Sequence, residues 1–146
     1  MPQRFTLAEA RSLIPLLERL LGEAVTMKAE YDQAEGIIQA LNARVAMMGG
    51  TMVNRDQAID ARGRREVAAA RLRRAMEQVR ETGCVVKDLD IGLVDFPALR
   101  HGVEVCLCWK LGERSIEYWH GVDEGFRGRK PIGRDFRDPH RGNPEQ

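Results

Sequence analysis

A seam of apolar side chains in the first third of the chain sets the strictest limit on its fold. A heptad spacing kept over about five repeats is typical of a helix that packs lengthwise against another helix. Such a helix would be roughly 60 Å long, more than a small sheet covers, so the sequence predicts a second helix beside it. The seam residues recur in alternating steps of three and four: Ala10, Leu13, Leu17, Leu20, Ala24, Met27, Tyr31, Ala34, Ile38, Leu41, Val45 and Met48.

Local signals predict where this first helix begins, bends and ends. Thr6 and Glu9 have the spacing of a capping box, in which each side chain accepts a hydrogen bond from the other residue's amide. Pro15 cannot donate to the Arg11 carbonyl, so we expect a kink near the second turn of one continuous, bent helix. The pair Gly49-Gly50 interrupts the seam and predicts the reversal of the chain.

The second helix has a seam of its own that is rich in alanine. Asn54, with Gln57 three residues later, is expected to cap its start, and Gly83 is expected to end it. Small seam residues would let the two helices approach closely. They are Ala58, Ala61, Arg65, Ala68, Leu72, Ala75 and Val79.

After Gly83 the apolar spacing changes to a period of two, which indicates β-strands. Shorter extended runs are predicted at residues 84–86, 91–94 and 115–120. The connections are too short for parallel crossovers, so we expect antiparallel pairing. The clearest strand has alternating apolar residues at Val103, Val105, Leu107, Trp109 and Leu111.

These patterns predict an α+β protein: a long antiparallel two-helix hairpin, similar to a coiled coil, followed by a small antiparallel β meander. With 146 residues the chain has the size of a single domain. We expect that domain to span residues 1–137, with the hairpin at 5–82, the meander at 84–121 and a loop at 122–137. Residues 138–146 are expected to form a disordered tail.

The charge, apolar content and cysteine content of the chain limit which partners and which cellular compartment we expect. The net charge of +1 argues against attraction of the whole molecule to nucleic acid or to an anionic membrane. No stretch approaches the roughly 20 apolar residues of a membrane span, and the start of the chain lacks the apolar core of an export signal. The three cysteines fit no disulfide framework, so we expect a reduced, cytoplasmic setting.

Apolar residues outside the first seam predict self-association. Leu16, Leu21, Val25 and Ile37 widen the apolar arc of the first helix beyond what one alanine-rich partner covers. We therefore expect two hairpins to pair as a homodimer in a four-helix arrangement. The alternative, in which both seams form only the core of an intramolecular hairpin, stays open.

Four sequence blocks resemble a known family. They read FTLAEARSLIPLL at residues 5–17, KDLDIGLVDFPAL at 87–99, LCWKLGE at 107–113 and YWHGVDEGFRGRKP at 118–131. These blocks resemble a prokaryotic family catalogued as domain of unknown function 2203, and the resemblance covers most of the chain. It implies a compact prokaryotic protein. The activity of that family is not established, so the resemblance implies no mechanism.

An acidic run provides the first candidate binding residues, Asp88, Asp90 and Asp95. On an extended strand, Asp88 and Asp90 would project to one face, where their carboxylates can hold a hard divalent cation. The distal glutamate of a calcium loop is missing. In the alternative interpretation, the acids cap turns or pair with arginines at strand ends.

His120 is the second kind of candidate, because carboxylates follow it in a glycine-rich loop. With Asp88 and Asp90 it would ligate a divalent metal ion, and Glu124 and Arg129 would complete a hydrolase-like or anion-binding pocket. In the alternative interpretation, His120 closes a strand end and bonds to a backbone carbonyl.

Two further features favour structural roles. Cys106 and Cys108 point to the same strand face but lack the paired knuckles of structural zinc, so we interpret them as small buried side chains. The arginines of the second helix scatter around its circumference, which predicts a solvated face and makes a phosphate-binding stripe for nucleic acid improbable. They are Arg62, Arg64, Arg65, Arg71, Arg73 and Arg74.

The sequence supports two hypotheses of different classes. The first is a non-enzymatic, self-associating binding or scaffold protein with a polar surface site at the end of the sheet. The second is a small metal-dependent, hydrolase-like enzyme that uses the cluster of aspartate, histidine and glutamate side chains. No motif indicates a nucleophile, which puts the first hypothesis ahead.

Overall fold

The computed structural model describes residues 3–47 and 54–137. It confirms the α+β class: a long pair of helices is followed by an antiparallel five-stranded meander. The predicted reversal at Gly49-Gly50 and the predicted tail at 138–146 lie outside the described residues. The helices are α1 (Leu7–Ser12), α2 (Ile14–Met47), α3 (Arg55–Glu81) and α4 (Arg134–Arg137). The strands are β1 (Val85–Asp88), β2 (Leu93–Arg100), β3 (Val103–Lys110), β4 (Tyr118–Gly121) and β5 (Lys130–Pro131).

The start of the first helix follows the predicted capping box. The Glu9 amide donates to Thr6 Oγ1 over 3.0 Å, and the Thr6 amide donates to Glu9 Oε1 over 2.8 Å. The expectation of one continuous helix is wrong in detail, because α1 ends at Ser12 and α2 begins at Ile14. The interruption lies next to Pro15, which has no N–H for the carbonyl four residues earlier.

Helices α2 and α3 form the predicted antiparallel hairpin. Asn54 caps α3 by accepting from the Gln57 amide over 3.0 Å. Ion pairs join the helices, with Arg65 Nη1 2.9 Å from Glu35 Oε2 and Arg71 Nη2 3.2 Å from Glu23 Oε1. Their close approach is possible because α3 contributes small seam residues that are almost fully buried: Ala61, Ala68 and Ala75.

The base of the hairpin covers one face of the sheet. In the register of β2 and β3, Val94 lies opposite Trp109 and Phe96 lies opposite Leu107. These four side chains are completely buried and face the helices, so we call this the inner face of the sheet. Side chains of α1, the first part of α2 and the end of α3 complete the core, among them Leu7, Ala10, Leu17, Leu20, Leu21 and Val79.

The sheet also covers part of the apolar arc that suggested a dimer. Leu21 is fully buried in the core, and Val25 and Ile37 are half-buried. Leu16 is the one exposed residue of the four. These residues of α2 therefore do not form one open apolar face.

Strand β2 continues through Pro97, where the sequence suggested that the extended run would stop. Pairing with β1 extends only to Asp95, so the missing N–H of Pro97 interrupts no ladder on that side. Beyond Asp95, the N-terminal segment bonds to this edge of β2: the Phe5 amide donates to the Pro97 carbonyl over 2.8 Å.

The segment predicted as a loop at 122–137 contains regular structure. It holds a 3₁₀ turn at Phe126–Gly128, strand β5 and helix α4. Phe136 of α4 is buried in the core and lies 5.8 Å from the ring of Trp119, measured between ring centroids. The sequence of this segment is rich in glycine, proline and arginine, so its order depends on contacts with the sheet and not on local propensity.

Candidate metal centre

Three chemically active side chains lie together on the outer face of the sheet, the face turned away from the hairpin. Side chains alternate between the faces of a strand, so Asp95 on β2, Cys106 on β3 and His120 on β4 all face outward. The register places Cys106 directly opposite His120 and places Asp95 opposite Cys108, two residues farther along β3. The three side chains therefore converge from neighbouring strands.

The cluster is compact, with Asp95 and His120 buried and Cys106 half-buried. His120 Nε2 lies 3.0 Å from Asp95 Oδ1 and 3.1 Å from Oδ2. One ligand atom each from Asp95, Cys106 and His120 can be chosen so that all three lie within 4.8 Å of one another. Asp95 is 2% exposed and His120 is 4% exposed, so water screens the pair poorly and their interaction is strong.

The hydrogen bonds of His120 fix the number of protons in the cluster. Its Nδ1 lies 2.8 Å from the carbonyl oxygen of Gly121; that oxygen can only accept, so Nδ1 carries a hydrogen. Nε2 then faces a carboxylate, and their hydrogen bond requires one more proton, held on the imidazole or on Asp95. The pair is satisfied only when one proton lies between these two groups.

The thiol of Cys106 is not an activated nucleophile in this arrangement. Burial, and then the negative charge of Asp95, raise the pKa of Cys106 to about 11, so the thiol stays protonated near neutral pH. Both ring nitrogens of His120 already have partners, and neither is available as a base for this thiol. The arrangement therefore argues against cysteine–histidine nucleophilic catalysis.

A small cavity opens beside the cluster. It has a volume of about 160 Å³ and lies between the outer face of the sheet and the segment that follows β4. A ligand of a few atoms could reach the cluster from this space. The cavity is lined by Lys87, Leu93, Asp95, Cys106, His120, Val122, Glu124, Gly125 and Phe126.

Glu124 anchors the segment that closes this cavity. Its Oε1 accepts from the Gly121 amide over 2.8 Å and forms an ion pair with Lys130. The hydrogen bond from Lys130, followed by that from the Gly121 amide, lowers the pKa of Glu124. The Glu124 amide donates to the Gly121 carbonyl over 3.0 Å, the same oxygen that orients His120. Glu124 is thus a supporting residue and lies outside the cluster itself.

Glycine at position 128 is a steric requirement of this anchor. A Cβ atom at Gly128 would lie 2.9 Å from Glu124 Cβ, closer than such atoms pack. Within the glycine-rich loop that follows His120, Gly128 therefore allows close packing around Glu124.

Arg129 is a structural clamp beside the cluster. Its Nη1 donates to both carboxylate oxygens of Glu113, over 3.1 and 2.9 Å. Its guanidinium lies 4.2 Å from the ring centre of Tyr118 and 4.0 Å from that of Phe126, which holds the 3₁₀ turn against the sheet. Burial, the largest single influence, would lower the pKa of Arg129, but the hydrogen bonds and negative charge of Glu113, with a contribution from Cys108, together outweigh it and raise the pKa.

Asp88 and Asp90 do not share a strand face, and that expectation is wrong. The chain leaves β1 at Asp88 and forms a 3₁₀ turn at Leu89–Ile91, which Asp88 caps by accepting from the Asp90 amide over 3.0 Å. Asp90 instead pairs with Lys28 of α2, with Oδ1 2.6 Å from Nζ. Among the described residues, the expected set of Asp88, Asp90 and His120 does not form a group of metal-ligand atoms.

The structure thus unites Asp95 and His120, both singled out from the sequence, and adds Cys106. The sequence predicts only a structural, buried role for Cys106, because the paired cysteine knuckles of structural zinc are missing. The alternation of side chains between the two faces of a strand could have identified Cys106. It lies at an outward position of the clearest strand, opposite His120.

The fold and this cluster define the class of the protein. It is an α+β protein whose helical hairpin covers one face of an antiparallel meander, while a buried aspartate, a buried histidine and a half-buried cysteine lie on the other. The family model described as "Uncharacterized conserved protein (DUF2203)" matches residues 3–132. The chain belongs to this family, which confirms the resemblance of its sequence blocks. No curated protein and no solved structure matches it. None of the described helices is long and apolar enough to cross a membrane.

Proposed function

We propose that this protein binds one divalent zinc ion through Asp95, Cys106 and His120. The observation that carries the proposal is the convergence of a carboxylate, a thiol and an imidazole within 4.8 Å on three adjacent strands. Zinc accepts oxygen, sulfur and nitrogen ligands in one site. Sites with three protein ligands leave a fourth position for water or a small ligand.

The distances in the cluster are close to those that zinc requires. With bonds near 2.0 Å and tetrahedral angles, two nitrogen or oxygen ligands lie about 3.3 Å apart. His120 Nε2 and Asp95 Oδ1 are 3.0 Å apart, so a shift of a few tenths of an ångström would give this pair the required spacing. Cys106 Sγ lies within 4.8 Å of its two partners and would approach them to about 3.5 Å on binding the ion. The metal would take the position of the proton that these two groups share and would displace the thiol proton of Cys106.

The orientation of His120 also suits a ligand. A histidine that binds a metal through one ring nitrogen commonly donates from the other to a backbone carbonyl or a carboxylate. His120 donates from Nδ1 to the Gly121 carbonyl, so Nε2 is the atom left for the metal. Glu124 holds that carbonyl in place, because its amide donates to the carbonyl oxygen and its side chain accepts from the Gly121 amide.

Zinc titration of the full chain tests the proposal. The protein is purified without an affinity tag, stripped with chelator and titrated with ZnCl₂ by calorimetry, and stoichiometry is read by native mass spectrometry. We expect one zinc per chain and a loss of affinity of at least about 100-fold in Cys106→Ala. Cobalt(II) supplies a second readout, since its thiolate charge-transfer absorption should be present in the wild type and absent in that variant.

Cys108→Ala is the matched control. Cys108 is fully buried on the same strand face, and its pKa is raised to about 12 by burial and then by the charge of Asp95, but it is not part of the cluster. The control should bind zinc as the wild type does. The proposal is wrong if the wild type binds no stoichiometric zinc, or if Cys106→Ala retains wild-type affinity while its circular dichroism shows a folded chain.

Hydrolysis is a second candidate function, supported by the cavity of about 160 Å³ beside the cluster. A zinc ion with an open position activates bound water as a nucleophile near neutral pH, and the cavity provides room for that water. Hydrolysis of 4-nitrophenyl acetate by the zinc-loaded chain, above the rate of the zinc-treated Cys106→Ala variant, would support it. Zinc binding without a difference in hydrolysis rate between the two would support a zinc-binding protein that is not a hydrolase.

A further inference from the structure

Lys87 lies on the edge strand β1 and lines the cavity beside the cluster. Among the described residues it has no hydrogen-bond or ion-pair partner. Its positive charge nevertheless reaches the cluster. Burial, and then the charge of Asp95, raise the pKa of Cys106 to about 11, and the charge of Lys87 acts in the opposite direction. An unbalanced cation therefore lies on the wall of this cavity.

The backbone of β1 is irregular at Lys87. Val86 lies opposite Val94 of β2, but Asp88 lies opposite Leu93, so β1 contains one more residue here than its partner strand. A β-bulge of this kind redirects side chains and is common beside functional sites. Lys87 is thus placed by an irregularity typical of such sites and not by a regular part of the sheet edge.

The charges around the cavity favour an anion. When zinc is bound, the carboxylate of Asp95 and the thiolate of Cys106 balance its two positive charges. The carboxylate of Glu124 also lines the cavity, but it is paired with Lys130. The charge of Lys87 is then left over, and a ligand with a single negative charge would balance it in a space that holds little water.

The other walls of the cavity are largely apolar and limit the size of a ligand. They include Leu93, Val122 and Phe126. A cavity of about 150 Å³ is large enough for a benzene molecule, so the space of about 160 Å³ accepts a ligand of about six non-hydrogen atoms. A carboxylate with a short alkyl group has the charge, the apolar part and the size that these walls require.

We propose that the cavity of the zinc-loaded protein binds a small aliphatic monocarboxylate. One carboxylate oxygen takes the open position on the zinc ion, the other accepts a hydrogen bond from Lys87, and the alkyl group lies against the apolar walls. This inference rests on the proposed zinc site and adds the class of its ligand. A hydrogen bond between two charged groups is stronger than a neutral one, so Lys87 would distinguish carboxylates from neutral analogues.

Titration of the metal-loaded full chain with a series of ligands tests the ligand class. Acetate, propionate and butyrate are added while the absorption of the cobalt(II) form is recorded, and calorimetry on the zinc form gives the affinities. Each added methylene group should raise the affinity by up to about fourfold as it becomes buried. Octanoate should bind no more tightly than butyrate, because its chain exceeds the cavity. Butyramide and inorganic phosphate should each bind at least about tenfold more weakly than butyrate.

Substitutions of two lysines test the contact. Lys87→Ala should keep one zinc per chain, since Lys87 is not a ligand of the ion, but should weaken butyrate binding at least about tenfold. Lys87→Arg should retain binding to within a few-fold of the wild type. Lys110→Ala is the matched control. Lys110 Nζ lies 5.8 Å from the ring centre of Phe126, but this lysine does not line the cavity, so its removal should change the affinity less than about threefold.

The outcomes separate this inference from the zinc site on which it rests. A chain that binds no zinc overturns both. A chain that binds one zinc but gives no response to butyrate at tens of millimolar overturns the ligand class alone, as does equal binding of butyrate by the metal-free chain. Equal losses in Lys87→Ala and Lys110→Ala would also overturn it, because they would show a general effect of charge and no contact with Lys87. Tighter binding of phosphate than of butyrate would reject a monocarboxylate.

Discussion

His120 bonds to two strands on the outer face of the sheet, so its replacement would disturb that face. Its Nε2 bonds to Asp95 of β2 and its Nδ1 to the Gly121 carbonyl at the end of β4, and almost no water reaches them. A buried charged pair contributes little net stability as a pair, but the removal of one member leaves the other uncompensated. The cost of a substitution here therefore depends on what the remaining partner can still bond.

We expect Asp95→Ala to lower the free energy of unfolding by about 3–5 kcal/mol at neutral pH. Asp95→Asn should cost only about 1 kcal/mol, because its amide can donate to a neutral His120 Nε2 while Nδ1 keeps its bond to Gly121. Urea unfolding followed by circular dichroism measures both. Equal losses in the two variants would contradict the proton count derived from the geometry.

The sequence reveals some residues of this site but not how they come together. Asp95 and His120 could be chosen as candidates from their chemistry alone. Their partnership could not, because it depends on the register of three strands, and that register is set by turns between them. Asp88 and Asp90 were assigned an extended geometry since period-two alternation in the sequence does not signal a 3₁₀ turn such as Leu89–Ile91.

At the scale of elements, the segment after β4 depends on the charge of Glu124. Its folded-state pKa lies below the ordinary value of 4.5 because it pairs with Lys130 and accepts from the Gly121 amide. A lowered carboxyl pKa stabilises the folded state above the unfolded pKa, and this stabilisation is lost as pH falls through the folded value.

We therefore expect Glu124→Gln to unfold at lower urea concentration than the wild type at pH 7. The difference should shrink as pH falls below the ordinary pKa of 4.5 and vanish below the lowered folded-state pKa. Asp123→Asn, in the same turn, serves as the control and should show no comparable difference, since Asp123 has no ion pair with any described residue. A Glu124→Gln effect that persists unchanged at pH 3 would contradict an origin in the charge.

Other elements differ in how far the sequence determines them. The capping box at Thr6, the Asn54 cap and the heptad seams are local patterns, and each can be predicted from the sequence alone. Strand β5 and the passage of β2 through Pro97 depend on distant partners. Pro97 is tolerated because β1 stops before it and Phe5 bonds its carbonyl, which no local pattern contains.

At the scale of the whole molecule, the hairpin has two regions with different support. Near its base, α2 contributes to the core shared with the sheet through residues from Ile14 to Leu21. Farther along, its buried residues Ala34, Ile38 and Leu41 lie outside that core and on the seam with α3. The outer part of the hairpin therefore depends on packing between two helices, and its small alanine side chains bury less apolar surface and stabilise it less.

Hydrogen exchange followed by mass spectrometry should show this division. We expect amides at 34–45 and 58–68 to exchange roughly tenfold faster than those at 17–24 and 75–80, because local opening follows the number of buried apolar contacts. The comparison is made at low micromolar concentration. Equal protection along both helices would show that the hairpin unfolds as one unit with the sheet.

The two-sided use of β2, β3 and β4 makes this chain a practical scaffold for engineering. Alternate positions on these strands face opposite sides of the sheet, one set toward the hairpin and the other toward the cavity. Randomising Asp95, Cys106 and His120 would therefore vary the outer face while leaving the neighbours that face the hairpin untouched. Because Asp95→Ala is expected to cost about 3–5 kcal/mol, such a library would be sorted first for folded chains and then for reactivity.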